Sequence, residues 1–195
     1  MADFIFKDNL WKVSHSPTHV YFVGGPFSQW FMRPFTAPMP CIETSEDSDG
    51  DRYTFNCAEQ YMMSAKAALF SDYDALAEIL AAKLPKEQKL IGRRVNRFDP
   101  DVWNEKAKSV VTMGNIAKFN QHSDLREYLF ATGDKKIVEG AWYDPVWGVK
   151  LAWDDPRILN EANWEGTNWL GECLMYVRKR LYDKLVFDMQ GKKYR

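Results

Sequence analysis

At 195 residues, with 46% hydrophobic and 15% aromatic side chains, the chain is long enough to bury a sizeable core and reads as one domain. Its 26 Lys and Arg nearly balance 27 Asp and Glu, for a formal charge of −1. That balance excludes a global field for nucleic acid or anionic membrane, and no apolar run approaches the length of a membrane span.

Asp3, Lys7 and Asp8 interrupt the apolar run that a signal peptide needs. Cys41, Cys57 and Cys173 are scattered and form no C-x-x-C pair, so neither a disulfide framework nor a zinc knuckle is suggested. A soluble cytoplasmic protein with reduced thiols is expected.

To about residue 55 the chain reads as short strands and loops. "HVYFVGG" is a strand ending in a turn at Gly24-Gly25, where positive φ is expected; no G-K-[ST] follows to make a phosphate loop. "MRPFTAPMP" holds too much proline for a helix. "ETSEDSDGDRYTF" reads as a polar hairpin loop leading into a strand, and its acidic cluster lacks the calcium-loop spacing. From Asn56 the pattern turns helical. Asn56 is expected to cap "CAEQYMMSAKAALF", Ser71 or Asp72 to cap "DYDALAEILAAKL", and Pro85 to sit in the first turn of "PKEQKLIGRRV". Asp99-Pro100 opens a helix reaching about His122, and another begins on Ser123 and stops at Gly133. "KKIVEGAWYDPVWGVKLAW" is an aromatic strand-and-loop region, and a final helix runs roughly from Asn168 to Val186. With no repeat or linker in view, the expected fold class is mainly α (α+β). It is one compact helical domain with small β elements near the N-terminus and around 136–150.

His15 and His19 have the i, i+4 spacing of a helical zinc pair, but Pro17 lies between them and no Glu completes the motif. No metal and no cofactor is therefore expected. The segment "KLPKEQKLIGRRVNR" (83–97) carries six Lys or Arg and one Glu. It reads as a solvated helix face or as a phosphate-contacting surface. Glu59 and Lys66 lie seven residues apart, nearly two turns, on one side of an otherwise apolar helix. They form either a partly buried ion pair or a reactive pair. Asp144 in "GAWYDPVWG" opens a turn unless it does chemistry, and Trp103 is a core residue unless it stacks on a ligand.

"FSQWFMRPF", "CAEQYMMSAKA", "GRRV", "FDPDVWNEKAKSVV", "LFATGDKKIVEG", "YDPVWG" and "GTNWLGECLMYVRKRL" follow one another in this order. In these motifs, from about Val20 to Leu181, the chain resembles the NADAR superfamily of YbiA-like proteins, leaving 182–195 as a tail. The resemblance implies a compact, mainly helical domain with small β elements that binds ADP-ribose or a ribosyl-phosphate ligand. It also implies hydrolysis of N-glycosidic bonds. The substrate is either ADP-ribosylated guanine in DNA or RNA, the first choice, or an early riboflavin-pathway intermediate; a non-catalytic ADP-ribose-binding module is a third reading. The family's acidic helix residue falls on Glu59, its helix lysine on Lys66, its tryptophan on Trp103 and its late aspartate on Asp144. Ser28 aligns with the N-terminal family motif, whereas Gln29 replaces Asn and Trp30 begins altered spacing. Trp147, Gly148, Asn168 and Trp169 fall in the late motifs. Glu59 is expected to stabilise an oxocarbenium-like transition state and Asp144 to assist the leaving base or orient water. Lys66 binds phosphate, sets the state of Glu59, or attacks an opened ribose. Arg93 and Arg94 are expected to hold phosphate oxygens, and Trp103, Trp147 and Trp169 to include a stacking surface for a base.

Overall fold

The structure, a computed structural model, describes residues 6–39 and 52–192. The acidic segment 44–51 and Cys41 lie outside the described residues. Helices dominate, with two small sheets, as the fold class expected. The chain forms two compact units, one from Gln29–Gln121 and one from the segments before and after it.

In Gln29–Gln121, strands β4 (Phe35–Pro38) and β5 (Arg52–Phe55) pair antiparallel, Phe35 opposite Phe55. Four helices follow: α1 (Ala58–Leu69), α2 (Tyr73–Ala81), α3 (Pro85–Gly92) and α4 (Pro100–Gln121). Helix α1 packs against the other three and is buried on nearly every side, with Lys66 a partial exception. Its many alanines keep it thin enough to be surrounded. Its neighbours carry glycines where they come closest: a Cβ on Gly114 of α4 would stand 2.5 Å from Tyr61 Cδ1, and one on Gly92 of α3 would strike the Met63 side chain.

The helix starts follow local chemistry. Asp72 Oδ1 accepts from Ala75 N–H at 3.1 Å, and its Oδ2 accepts from Asn96 N–H at 2.7 Å. Pro85 occupies the first turn of α3, and Asp99 Oδ1 accepts from Asp101 N–H at 2.9 Å at the start of α4. Asn56 does not cap α1. Cys57 takes the cap position without a capping bond from its side chain, and the Asn56 amide donates to Lys83 O at 3.0 Å. It joins Gln60 and Gln88, whose amides donate to Ile79 O and Ala82 O, both at 3.0 Å. Together the three amides satisfy carbonyls that the end of α2 leaves without helical partners.

In the other unit, strands β1 (Phe6–Asp8), β2 (Val13–His15) and β3 (His19–Phe22) form an antiparallel meander. Strand β6 (Lys136–Glu139) joins β3 in parallel, His19 opposite Lys136. Only 136–139 of the expected 136–150 region is strand; the rest is turns. Tyr21, Val138, Val149, Leu151 and Ile158 form a core. Gly25 has φ +62°, the conformation expected of the glycine turn. Helix α5 (Ser123–Phe130) ends before Gly133, and α6 runs Trp169–Lys192, past the expected Val186. His15 and His19 sit on neighbouring strands rather than one helix face, and His19 Nε2 meets Glu161 Oε1 at 2.9 Å. Among the described residues, no helix is long and apolar enough to cross a membrane.

Candidate active site

Helix α1 carries an ionisable residue near each end, Glu59 in its first turn and Lys66 in its last. Glu59, in its first turn, is only 5% exposed, and the positive end of the helix dipole favours a carboxylate there. Its backbone N–H donates to Gln29 O at 2.9 Å, while Arg33 N–H donates to Asn56 O at 3.0 Å. Segment 29–33 is thus laced to the chain entering α1. The Gln29 side chain carries the connection across to α4, its Oε1 accepting from Asn115 Nδ2 at 2.8 Å.

One turn beyond Asn115 lies Lys118, fully buried, its ammonium 5.6 Å from the Phe31 ring and 5.1 Å from that of Phe119. Removal from water brings its pKa down to about 7. Burial has the opposite effect on the Cys57 thiol, pushing it up to about 11, and the charges of Glu59 and Lys118 both act on that thiol. A carboxylate, a thiol and an amine therefore share one buried neighbourhood at the start of α1.

Sequence reasoning missed Lys118. A signal existed: Ala107, Val111, Gly114 and Lys118 recur at helical spacing, so the lysine continues a buried face of α4.

At the other end of α1, the Lys66 ammonium stands 3.8 Å from the Phe98 ring centroid and 6.0 Å from that of Trp103. Burial, and then the nearby positive charge of Arg93, lower its pKa. Lys66 makes no ion pair with Glu59. Seven residues separate them by about 10 Å along the axis, whereas direct helical pairs form at i+3 or i+4. Arg93 and Arg94 part company as well: Arg94 pairs with Glu78 at 3.4 Å, while Arg93 acts on Lys66. Trp103 is buried, and Trp30 is exposed with the Lys89 ammonium 5.8 Å from its ring.

The remaining candidates belong to the other unit. Asp144 Oδ1 accepts from Val146 N–H at 3.0 Å and Trp147 N–H at 2.8 Å, so this carboxylate holds the turn that its Asp-Pro sequence announces. Trp147 and Trp169 meet edge to face at 5.7 Å. Asn168, at φ +54°, donates from Nδ2 to Ile137 O at 2.9 Å and accepts at Oδ1 from Glu139 N–H at 3.0 Å. Its amide clamps β6, and its backbone N–H donates to Gly148 O at 3.1 Å. Ser28 is buried, its N–H donating to Gly25 O at 3.0 Å. Among the described residues, no group of three or more His, Cys, Asp or Glu is placed to hold a metal ion.

Residues 19–182 match the NADAR domain. The chain belongs to the NADAR family. The match runs through both compact units. The chain is similar to an N-glycosidase of Acanthamoeba polyphaga mimivirus, 37% identical over 78% of this chain and 85% of that protein. Protein irg-1 of Caenorhabditis elegans is 39% identical over 68% of this chain, which spans 64% of that protein's length. N-glycosidase YbiA of Escherichia coli is 29% identical over 67% of this chain and 73% of its own. The solution structure of E. coli YbiA superposes with a TM-score of 0.64 at 27% identity, covering 87% of this chain and 88% of that one.

Proposed function

We propose that this NADAR protein is an N-glycosidase that removes ADP-ribose from guanine in nucleic acid. The observation that carries the reading is the buried grouping of Glu59 and Lys118, supported by the N-glycosidase relatives. As the bond from the ribose C1 to the base nitrogen breaks, its electron pair leaves with the base. Positive charge spreads over C1 and the ring oxygen. The Glu59 carboxylate stabilises that charge where little water competes. Water then adds to C1, and the proton it releases balances the one the departing base takes up. Lys118, with a pKa of about 7, is matched to proton transfer near neutrality. Lys66 supplies a cation for a diphosphate, and the Trp103 ring beside it offers a stacking wall.

Glu59→Gln tests the assignment because it keeps size and hydrogen-bonding reach but removes the charge. Single-turnover hydrolysis of an ADP-ribosylated guanine strand should fall ~10²–10⁴-fold, with ADP-ribose affinity and melting temperature nearly unchanged. A destabilised but fully active variant would sink the catalytic role. Turnover of a ribosylamino-pyrimidine phosphate in place of the guanine adduct, read by chromatography, would move the protein to the other substrate class.

A further inference from the structure

The near-zero net charge hides an uneven surface. Lys86, Lys89 and Arg93 follow one another at i, i+3 and i+7 along α3 and its C-cap, a single stripe with exposed Leu90 among them. The adjoining face of the helix, at Pro85, Gln88 and Gly92, is buried. Among the described residues, none of these three cations has a carboxylate within ion-pair distance, whereas Arg94 beside them is paired with Glu78. Glu87, the one acid in 83–97, is turned to Leu84 N–H at 3.2 Å. Like charges one turn apart destabilise a helix, and a bound polyanion would relieve them.

Aromatic rings flank the stripe. Trp30 is 43% exposed, with the Lys89 ammonium 5.8 Å from its centroid, and Phe98 is 42% exposed, under Lys66. Arg93 is close enough to Lys66 for its charge to be felt there. A run of three cations, Lys89, Arg93 and Lys66, thus lies between the Trp30 and Phe98 rings.

Spacing selects the ligand. Lys86 to Arg93 covers about 10 Å of helix. A single diphosphate spans only a fraction of that, whereas successive phosphates of an extended strand fall within it. Partly exposed aromatic rings suit unpaired bases of any sequence, and duplex DNA keeps its base faces covered.

We propose that the Lys86–Lys89–Arg93 stripe, with Trp30 and Phe98, is a docking track for single-stranded nucleic acid. Its purpose rests on the reading above, since it would hold the strand on either side of a modified guanine. The binding itself is independent of hydrolysis, so it is tested with the full chain and a short, labelled, unmodified DNA strand by fluorescence anisotropy. Three contacted phosphates predict a slope of about −2 for log affinity against log salt. Lys86→Glu with Lys89→Glu should weaken binding ~10-fold or more and flatten the slope. Trp30→Ala should weaken it ~5-fold or more and leave the slope in place. Unchanged affinity in the double lysine variant, in protein of native circular dichroism, would overturn the track. So would tighter binding to phosphatidylserine vesicles or to duplex of the same length. A protein that hydrolyses a mononucleotide substrate but ignores the strand keeps the glycosidase reading and loses this one.

Discussion

Lys118 occupies a place where an ammonium is hard to sustain, and that has a measurable signature. Its pKa of about 7 in the folded chain lies well below the value near 10.4 of an unfolded lysine. Below about pH 7 both states hold the proton, and the cost of burying the charge is fully present. Between about pH 7 and 10 the folded state releases the proton while the unfolded chain keeps it. Stability attributable to Lys118 therefore rises with pH across that window, by as much as ~4 kcal/mol. Lys118→Met has a similar shape and nothing to titrate. It should be more stable than the wild type near neutrality, with the gap closing as pH approaches 10. Urea melts of both proteins at the two ends of the window measure this; a gap that stays constant would show that the lysine does not titrate in that range. The same substitution should abolish hydrolysis if Lys118 moves a proton.

Close helix approach shows at which level each feature is written. Alanine favours a helix over glycine by ~1 kcal/mol, so propensity alone makes Gly114→Ala stabilising. The structure reverses the sign, because the new methyl would meet the Tyr61 ring, itself fixed against Phe55 at 5.0 Å. A net loss of about 1–3 kcal/mol is expected in denaturant melts. Signals confined to a few residues were legible in the same way that this one was not. Asp72 and Asp99 mark helix starts because the bonds that make them caps lie within three residues, and Pro85 does so because its missing N–H needs no partner in a first turn. Asn56 carries an equally good capping side chain, yet it serves carbonyls of a turn that is adjacent only once α2 and α3 have packed. Glu59 was legible as an acid out of place on an apolar helix, but its surroundings come from segment 29–33 and from α4. Helical periodicity shows which side a residue faces and is silent on which element will face it. For that reason the sequence leaves a Glu59–Lys66 ion pair open where the structure forms none, and it does not single out Lys118.

Across the whole chain, burial is unevenly distributed. Residues 182–190 of α6 are all exposed, Phe187 at 75% and Met189 at 62%. Replacing both with serine should leave stability within ~0.5 kcal/mol, because neither position loses burial on the change. A larger loss in a urea melt would mean that something covers this end of the helix. The parallel pairing of β3 with β6 has a consequence for how the protein is made. Val20, Tyr21 and Phe22 leave the ribosome first, and their partners Ile137, Val138 and Glu139 follow only after all of Gln29–Gln121. At ~5–20 residues per second the wait is on the order of 10 s. The intervening segment, being contiguous, is free to pack its own helices meanwhile. Throughout that interval β3 offers an apolar, unbonded edge to any other strand nearby. The nascent chain is thus most exposed to misassembly before β6 arrives, and a chaperone that shields β1–β3 would act at the point of greatest need.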